Sequence, residues 1–505
     1  MTRRERRRRT RPAAASTPGA GPSAQKDIVM APGNSHDISA RHLWERELEN
    51  LTADAFGPVL TPGAAGYEDE IAVFNPAVTH SPAVVVGATG PEDVSLAVRT
   101  AGRLGLNIAV LNTGHGPSVP ATGDTLLITT SRMSDIVIDP CTRTARVQAG
   151  VRFQQLVTSA AAHGLAPLPG SSPTVGVIGY TLGGGGSATM GRKYGWAADH
   201  VTALEVVTAD GEPHRVSADT ESDLFSALLG GKSNFGVVTA MECALFPVTH
   251  LYAGTLCFSG ADARAALESY RRFTATAPDD MTSGIAFLYF PPLPGLPAFM
   301  QGKPVVAIRI SHVGQEDEGE RLIAPLRQAA PVLLDTVSMK PYTEFGSIGM
   351  DPADPAPAVE HFGLLTEMTE STVDALADTV DPHSGNRVNL IDIRQLGGAY
   401  SRPPATANAV GARDAAFAIF ALTVVPPGQD VAAYANTGLE LFDRLAPWLS
   451  KRKHPGFLSP ADATGQQTQK AYDPDVYEWL RAVKTRYDPD NRFRVNHNIP
   501  PYETA

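Results

Sequence analysis

Cysteine is scarce, with three residues in 505, at Cys141, Cys243 and Cys257. Three scattered thiols cannot build a disulfide framework or a thiolate metal site, so the chain is expected in a reducing cytoplasm and without a metal. Long hydrophobic runs are also missing. No segment approaches the ~18 apolar residues of a membrane span, so no membrane partner is expected. Positive charge is short in the body of the chain. The formal net charge is -11, but seven arginines and one glutamate fall within Met1 to Pro12, leaving 35 basic against 52 acidic residues and -17 for the remainder. An acidic body repels phosphate, which argues against a nucleic-acid partner. Ala, Ser, Pro and Gly follow the arginines from Pro12 to Lys26 where an export signal needs an apolar run, so residues 1–38 read as a solvated tail. Gly-x-Ser-x-Gly and His-Glu-x-x-His are absent, which removes the simplest serine-hydrolase and zinc-peptidase readings. Gly230-Gly231-Lys232-Ser233 resembles the end of a P-loop, but Ser226 stands where the first glycine belongs. Gly183, Gly185 and Ala188 match a dinucleotide fingerprint with Glu205 at the ribose-acid distance, yet no clean amphipathic helix lies between them.

What is present is a globular composition, 43% hydrophobic and 19% charged, at a length that predicts two or three domains. Gly 46 and Pro 41 point to many turns. Val94, Ala97, Val98, Ala101 and Leu104 fall at helical spacing after Pro91-Glu92-Asp93, and Ile108 to Leu111 reads as a buried strand. Hairpins are expected from Ile136 to Ala149 and from Glu205 to Val216. A helix is expected from Arg152 to His163, and a strand from Val237 to Phe246. Beyond Pro247 the texture changes. Strand-like runs at 251–258, 285–290, 304–311, 388–396 and 416–425 alternate with helical patterns at 261–277, 318–329 and 430–445, which predicts one broad antiparallel sheet backed by helices. A further helix is expected from Asp475 to Tyr487.

Three glycine-rich stretches lie within one region. They are Asn112-Thr113-Gly114-His115-Gly116-Pro117-Ser118, the run from Pro169 to Gly186, and Gly230 to Val238. Loops without side chains let backbone N–H groups approach and converge on anionic oxygens, and a diphosphate is the natural guest.

These stretches resemble the FAD-linked oxidases of the vanillyl-alcohol-oxidase type (PCMH-type FAD-binding), in the berberine-bridge-enzyme-like branch. The resemblance also rests on Gly191-Arg-Lys-Tyr-Gly195-Trp-Ala-Ala-Asp199, Glu205-Val-Val-Thr-Ala-Asp-Gly211, Ile391-Asp-Ile-Arg-Gln-Leu-Gly-Gly-Ala399 and Tyr487-Asp-Pro-Asp-Asn491-Arg-Phe with its Asn-His-Asn-Ile-Pro-Pro501 ending. It implies an α+β protein: a split FAD-binding domain at 39–248 and 446–505, and between them, at 249–445, a substrate domain with a large antiparallel sheet backed by helices. By the same resemblance, His115 bonds covalently to the flavin 8α carbon. The FAD contacts it implies are Asn112, Thr113, Gly114, His115, Gly116, Ser118, Pro169, Gly170, Ser171, Ser172, Val175, Gly176, Gly179, Tyr180, Gly183, Gly185, Asn234, Gly236, Val237, Val238 and Asn496.

Bicovalent relatives carry a cysteine where this chain has Ser172, so one flavin bond is expected. Many relatives carry a tyrosine base where this chain has Phe457, which cannot take a proton. Tyr180, Gln395 and Tyr400 are the preferred catalytic candidates, beside Tyr289, Arg309 and His361. Gln395, on the same strand face as Ile391 and Ile393, is expected to project from an apolar wall into the pocket. The resemblance implies hydride transfer from a small-molecule alcohol or amine, a natural-product intermediate of secondary metabolism, to flavin, with dioxygen reoxidising it to give hydrogen peroxide. A non-redox cyclase on the same fold and a dehydrogenase using a carrier acceptor are the alternatives. A monomer or homodimer is expected.

Overall fold

The computed structural model describes residues 38–116, 119–292, 296–380 and 388–503. Three sheets organise them. The first orders Val59–Leu60 (β1), Val84–Gly87 (β2), Asn107–Leu111 (β3) and Thr125–Thr129 (β4) as β1-β2-β4-β3. Its β2, β4 and β3 run parallel. The crossover from β2 to β3 is the helix Pro91–Leu104, which starts with Pro, Glu and Asp in its first turn and stops at Gly105 in the left-handed region, φ 68°.

The second sheet contains Ile136–Asp139 (β5), Thr144–Gln148 (β6), Val201–Val207 (β7), Pro213–Ser217 (β8) and Val237–Ala244 (β9), ordered β5-β6-β9-β7-β8 and antiparallel throughout. Both expected hairpins, β5–β6 and β7–β8, are there.

The third sheet is the broad antiparallel one. It contains His250–Ser259 (β10), Met281–Leu288 (β11), Val305–His312 (β12), Val332–Asp335 (β13), Ser338–Pro341 (β14), Ala358–Leu365 (β15), Leu390–Gln395 (β16) and Phe417–Val424 (β17). The order is β13-β10-β12-β11-β16-β17-β15, with β14 also pairing β10. The period-2 alternation of its strands separates two jobs. Ile285, Ile308, Ile310, Ile391, Ile393, Phe417 and Ile419 pack into one apolar layer with residues of the helices Ala263–Thr274, Glu316–Arg327, Glu370–Val380 and Leu439–Leu445. The intervening residues of β12, β15, β16 and β17 face a cavity instead.

Two expectations need correcting. The helix expected over 430–445 is a short 3-10 turn, Val431–Tyr434, and a separate helix, Leu439–Leu445, because Gly438 takes φ 95° and ends helical continuity. The sheet is also wider than the apolar runs suggested. β13 and β14 are mostly exposed and β15 only half-buried along much of its length, so none of them carries a strong apolar signature.

The Gly191 motif and the chain's end join these parts. Arg192 is buried and donates to the carbonyls of Met281 at 2.9 Å, Ala277 at 3.1 Å and Leu396. Asp199 accepts two hydrogen bonds from Arg413, at 2.9 and 2.7 Å, and one from Asn408. Within the motif, a Cβ on Gly191 would fall 1.6 Å from the Tyr400 hydroxyl, so only glycine fits there. The helix Pro474–Tyr487 carries Lys484, whose ammonium is fully buried and donates to Asp488 at 2.7 Å and to the carbonyls of Asn234 and Phe493. Burial pushes Lys484 down to about 8, against the pull of Asp488.

Candidate active site

A cavity of about 530 Å³ runs between the glycine-rich loops and the open face of the third sheet. That is within the range of sites for small molecules and cofactors. The first loop contributes Asn112, Thr113, Gly114, His115 and Gly116 to its wall. The second contributes Gly170, Ser171, Ser172, Val175, Gly176, Gly179 and Tyr180, the third Gly236 and Val238, and the chain's end Asn496. Gly114 sits at φ 65°, and a Cβ there would come within 2.6 Å of the Val73 backbone, so the loop closes only with glycine. Of the remaining expected contacts, Ser118 lies outside the described residues. Pro169, Gly183, Gly185, Asn234 and Val237 do not line the cavity. Val237 is core, and Asn234 binds the chain's end to its loop by donating to Gly231 and His497 carbonyls and accepting from the Ile499 N–H.

His115 lies on the cavity wall, stacked on Phe74 with ring centroids 3.8 Å apart, and its Nε2 is 2.9 Å from the Thr174 hydroxyl. Ser172 Oγ is 3.0 Å from the same hydroxyl, so the two cofactor-facing candidates share one neighbour. Burial, helped by the Arg152 charge and opposed by Asp351, pushes His115 down to about 4 and keeps its imidazole neutral at physiological pH.

The residues fit a flavin dinucleotide. A Cβ added at Gly116 or Gly179 would meet nothing within 4 Å, which leaves two bare backbone stretches open to a guest. Asn496 Oδ1 is buried without a hydrogen-bond partner at the same wall, an acceptor available to a ring N–H.

The sheet side is charged. Arg309 on β12 donates to Asp392 Oδ1 at 3.1 Å, and Arg394 Nε donates to Asp392 Oδ2 at 2.7 Å. Burial alone would push the Asp392 carboxyl up, but the two guanidiniums, Arg394 first, outweigh it and hold it below the usual range. Arg309 also donates to the Gly349 carbonyl at 3.3 Å and lies 4.0 Å from Asp351. Apolar rings surround this cluster: Phe362 and Phe457 stack at 4.5 Å, and the Arg394 guanidinium lies 5.8 Å from the Phe457 centroid.

The preferred catalytic candidates are otherwise engaged. Tyr180 donates to the Gly186 carbonyl at 2.6 Å and Tyr400 to the Ser187 carbonyl at 2.8 Å, and burial raises both phenols above their ordinary value. Neither is poised as a base at neutral pH. Gln395 lies on the helix-packed face with Ile391 and Ile393. It borders a small inner chamber, but its amide accepts from Ser283 Oγ at 3.0 Å and donates to the Thr274 carbonyl at 2.9 Å. The expectation that it projects freely into the pocket is therefore corrected: strand parity sends Asp392 and Arg394 there. Tyr289 is exposed and lines no part of the cavity, whereas His361 borders it.

Sequence reasoning does not single out Asp392, Arg394, Glu360 or His454, and it meets Lys232 only as part of a P-loop-like string. The alternation Ile391-Asp-Ile-Arg394 was the available signal for the first two. Lys232 lines the cavity at φ 56°, and burial pushes it down to about 8. Glu360, on β15, is pushed up to about 7 by burial. His454 stacks on Trp196 at 4.3 Å, and its Nδ1 accepts from the Gly456 N–H. Burial, with Lys232 and Arg413 adding to it, pushes His454 down to about 3.

Residues 82–217 match the FAD binding domain family, and residues 459–500 match the berberine and berberine-like family. The chain is 29% identical over 462 residues to (R)-6-hydroxynicotine oxidase of Paenarthrobacter nicotinovorans, covering 88% of this chain and 97% of that protein. An FAD-linked oxidoreductase of Dictyostelium discoideum is 24% identical over 88% of this chain and 95% of its own length. The crystal structure of 6-hydroxy-D-nicotine oxidase from Arthrobacter nicotinovorans superposes with a TM-score of 0.77 at 26% identity, over 89% of this chain and 98% of that one. A carbohydrate oxidase from Microdochium nivale shares the fold, with a TM-score of 0.76 at 21% identity over 90% and 100% of the two chains. A nucleotide-sized cavity between glycine loops and a broad antiparallel sheet, in a chain with such relatives, defines an FAD-dependent oxidoreductase of α+β architecture. These two matches and the relatives support a PCMH-type FAD-linked oxidase of the berberine-bridge-enzyme-like branch. Among the described residues no helix is long and apolar enough to cross a membrane.

Proposed function

We propose that the protein is an oxidase that tethers FAD once, through His115, and oxidises a small-molecule alcohol or amine, a natural-product intermediate. The observation that carries this reading is His115 itself, a neutral imidazole on the wall of the cavity within the first glycine loop. A neutral imidazole keeps a lone pair for bond formation, as an imidazolium does not. The likeness to an oxidase named for 6-hydroxynicotine supports a small-molecule substrate. FAD held there would supply a two-electron acceptor for the substrate's hydride, with dioxygen as the terminal acceptor that, with two protons, gives hydrogen peroxide.

The chain's own residues bind, orient and exclude water. Ser172 offers a hydroxyl where a thioether would need sulfur, so the tether is single. The bare backbone at Gly116 and Gly179 and the Asn496 amide would hold the cofactor against the loops. The 39–248 and 446–505 parts form the cofactor half, and 249–445 supplies the substrate wall. The Phe362–Phe457 stack keeps the sheet side dry, so the Arg309–Asp392–Arg394 cluster acts in low dielectric, where its charge orients a substrate more strongly.

The test is acid precipitation of the purified holoprotein. Yellow colour should stay in the pellet, and peptide mapping should place one FAD on the His115 peptide. His115→Ala should release all colour to the supernatant. A colourless wild-type pellet overturns the covalent reading. Hydrogen peroxide formed mole for mole with substrate oxidised checks the oxidase reading against a dehydrogenase.

A further inference from the structure

Arg394 is the arginine of the sheet-side cluster whose two terminal nitrogens are both uncommitted among the described residues. Its Nε is committed to Asp392 Oδ2 at 2.7 Å, and among the described residues its terminal nitrogens Nη1 and Nη2 have no hydrogen-bond partner. Arg309 differs, because Nη1 serves Asp392 Oδ1 and Nη2 serves the Gly349 carbonyl. Both oxygens of Asp392 are taken, and its side chain is 1% exposed, so it cannot turn to meet the open end of Arg394. Asp351 reaches only to 4.0 Å from Arg309. The side chain of Arg394 keeps 28% of its surface, and the wall around it is built from Ile310, Phe362, Leu396, Ala418 and Phe457.

An end-on guanidinium fork whose two terminal nitrogens have no protein partner, beside Phe362, Leu396, Ala418 and Phe457, is open to an acceptor. The guest that satisfies both nitrogens at once is a planar group with two coplanar oxygens carrying the complementary charge. We propose that the substrate carries a carboxylate on an aromatic or other apolar body, and that Arg394 binds this carboxylate end-on through Nη1 and Nη2. The inference rests on the cavity being the substrate site of the oxidase described above, and it adds the acid group by which the substrate is recognised. Binding needs no change in Asp392, because the Nε bond and the end-on pair use different edges of the guanidinium. Arg309, bonded to Asp392 from the other side, fixes the carboxylate that fixes Arg394, and so acts as a positioning residue.

Purified full-length holoprotein is titrated with phenylacetate and with its neutral isostere phenylacetamide. Binding is followed by the visible difference spectrum of the bound flavin and, independently, by the shift in melting temperature. Phenylacetate is expected to bind about tenfold more tightly than the amide, the worth of a charge-assisted bidentate pair in a partly buried site. Arg394→Gln should erase that difference while the FAD bound per chain stays the same. Arg394→Lys, which keeps the charge but loses the fork, should keep part of it.

Equal affinity for acid and amide in the wild type overturns the inference, as does an unchanged preference in Arg394→Gln or no saturable response to phenylacetate. Should Arg394→Gln fail to fold, the acid–amide comparison in the wild type and in Arg394→Lys still decides. A protein that purifies without FAD would sink the oxidase reading instead. The melting shift would then report on the carboxylate site separately.

Discussion

Lys232 combines two costs at one position. Its backbone takes φ 56° and ψ -139°, a region that suits glycine, and burial depresses its ammonium. Its charge also helps to push down His454 and His497. Lys232→Gly should therefore raise the stability of the apoprotein by about 1 kcal/mol, the relief of strain exceeding the added chain entropy. Thermal melts check this, and NMR titration should find both histidines with higher pKa values.

Ser172 lies one shared hydroxyl away from His115. In Ser172→Cys a second flavin bond should form, seen as a single FAD joining the 165–190 peptide to the His115 peptide, and a shifted absorption spectrum. Glu360 gives a pH signature. Its folded pKa of about 7 lies above the ordinary carboxylate value, so the folded state holds its proton longer than the unfolded one. Its contribution to stability is full below about pH 4.5 and is lost as pH rises through about 7. Glu360→Gln should flatten the fall in apoprotein stability across that interval, measured by urea midpoints.

Among the elements, the helix Pro474–Tyr487 depends on one buried ion pair. Lys484→Met leaves the Asp488 carboxylate buried without its cation, and the Asn234 and Phe493 carbonyls lose a donor. The loss should be about 3–5 kcal/mol, read from denaturant midpoints. Because the same lysine bonds the Asn234 carbonyl, hydrogen exchange should rise across residues 231–238 as well.

Elements also show why some features were legible in the sequence and others were not. His115 and the glycine loops stand out because the backbone demands on a tight loop are local, and glycine records them directly. The hairpins at β5–β6 and β7–β8 are local for the same reason. The Arg309–Asp392–Arg394 cluster depends on β11 lying between β12 and β16, a long-range pairing that no stretch of sequence encodes alone. The glycine loop predicts a backbone contact to the cofactor at Asn234, but nothing in the loop encodes that its side chain is bonded to residues more than 260 positions away. Gly438 interrupts an apolar pattern that otherwise reads as a continuous helix.

Over the whole molecule, stability should fall steeply in acid. His115, His454 and His497 are pushed down to about 4, 3 and 4, each chiefly by burial. An unfolded chain protonates these imidazoles near pH 6.5, whereas the folded protein does so only several units lower. Stability from this source is complete above about pH 6.5 and drains away as pH falls through about 4. Urea midpoints of the apoprotein between pH 7.5 and 4.5 should decline, and His454→Phe should lessen the slope. Glu360 acts in the opposite sense, so the two variants together separate the contributions.

The broad sheet divides its labour by parity, with odd residues of β16 serving the helix layer and even ones the large cavity. Selectivity and foldability are thereby assigned to different letters of the same short word. A library randomised at positions 361, 362 and 394, with the buried Asp392–Arg309 pair left in place, would explore new chemical tastes while the scaffold beneath stays intact, so this lineage can diversify its diet without relearning how to fold.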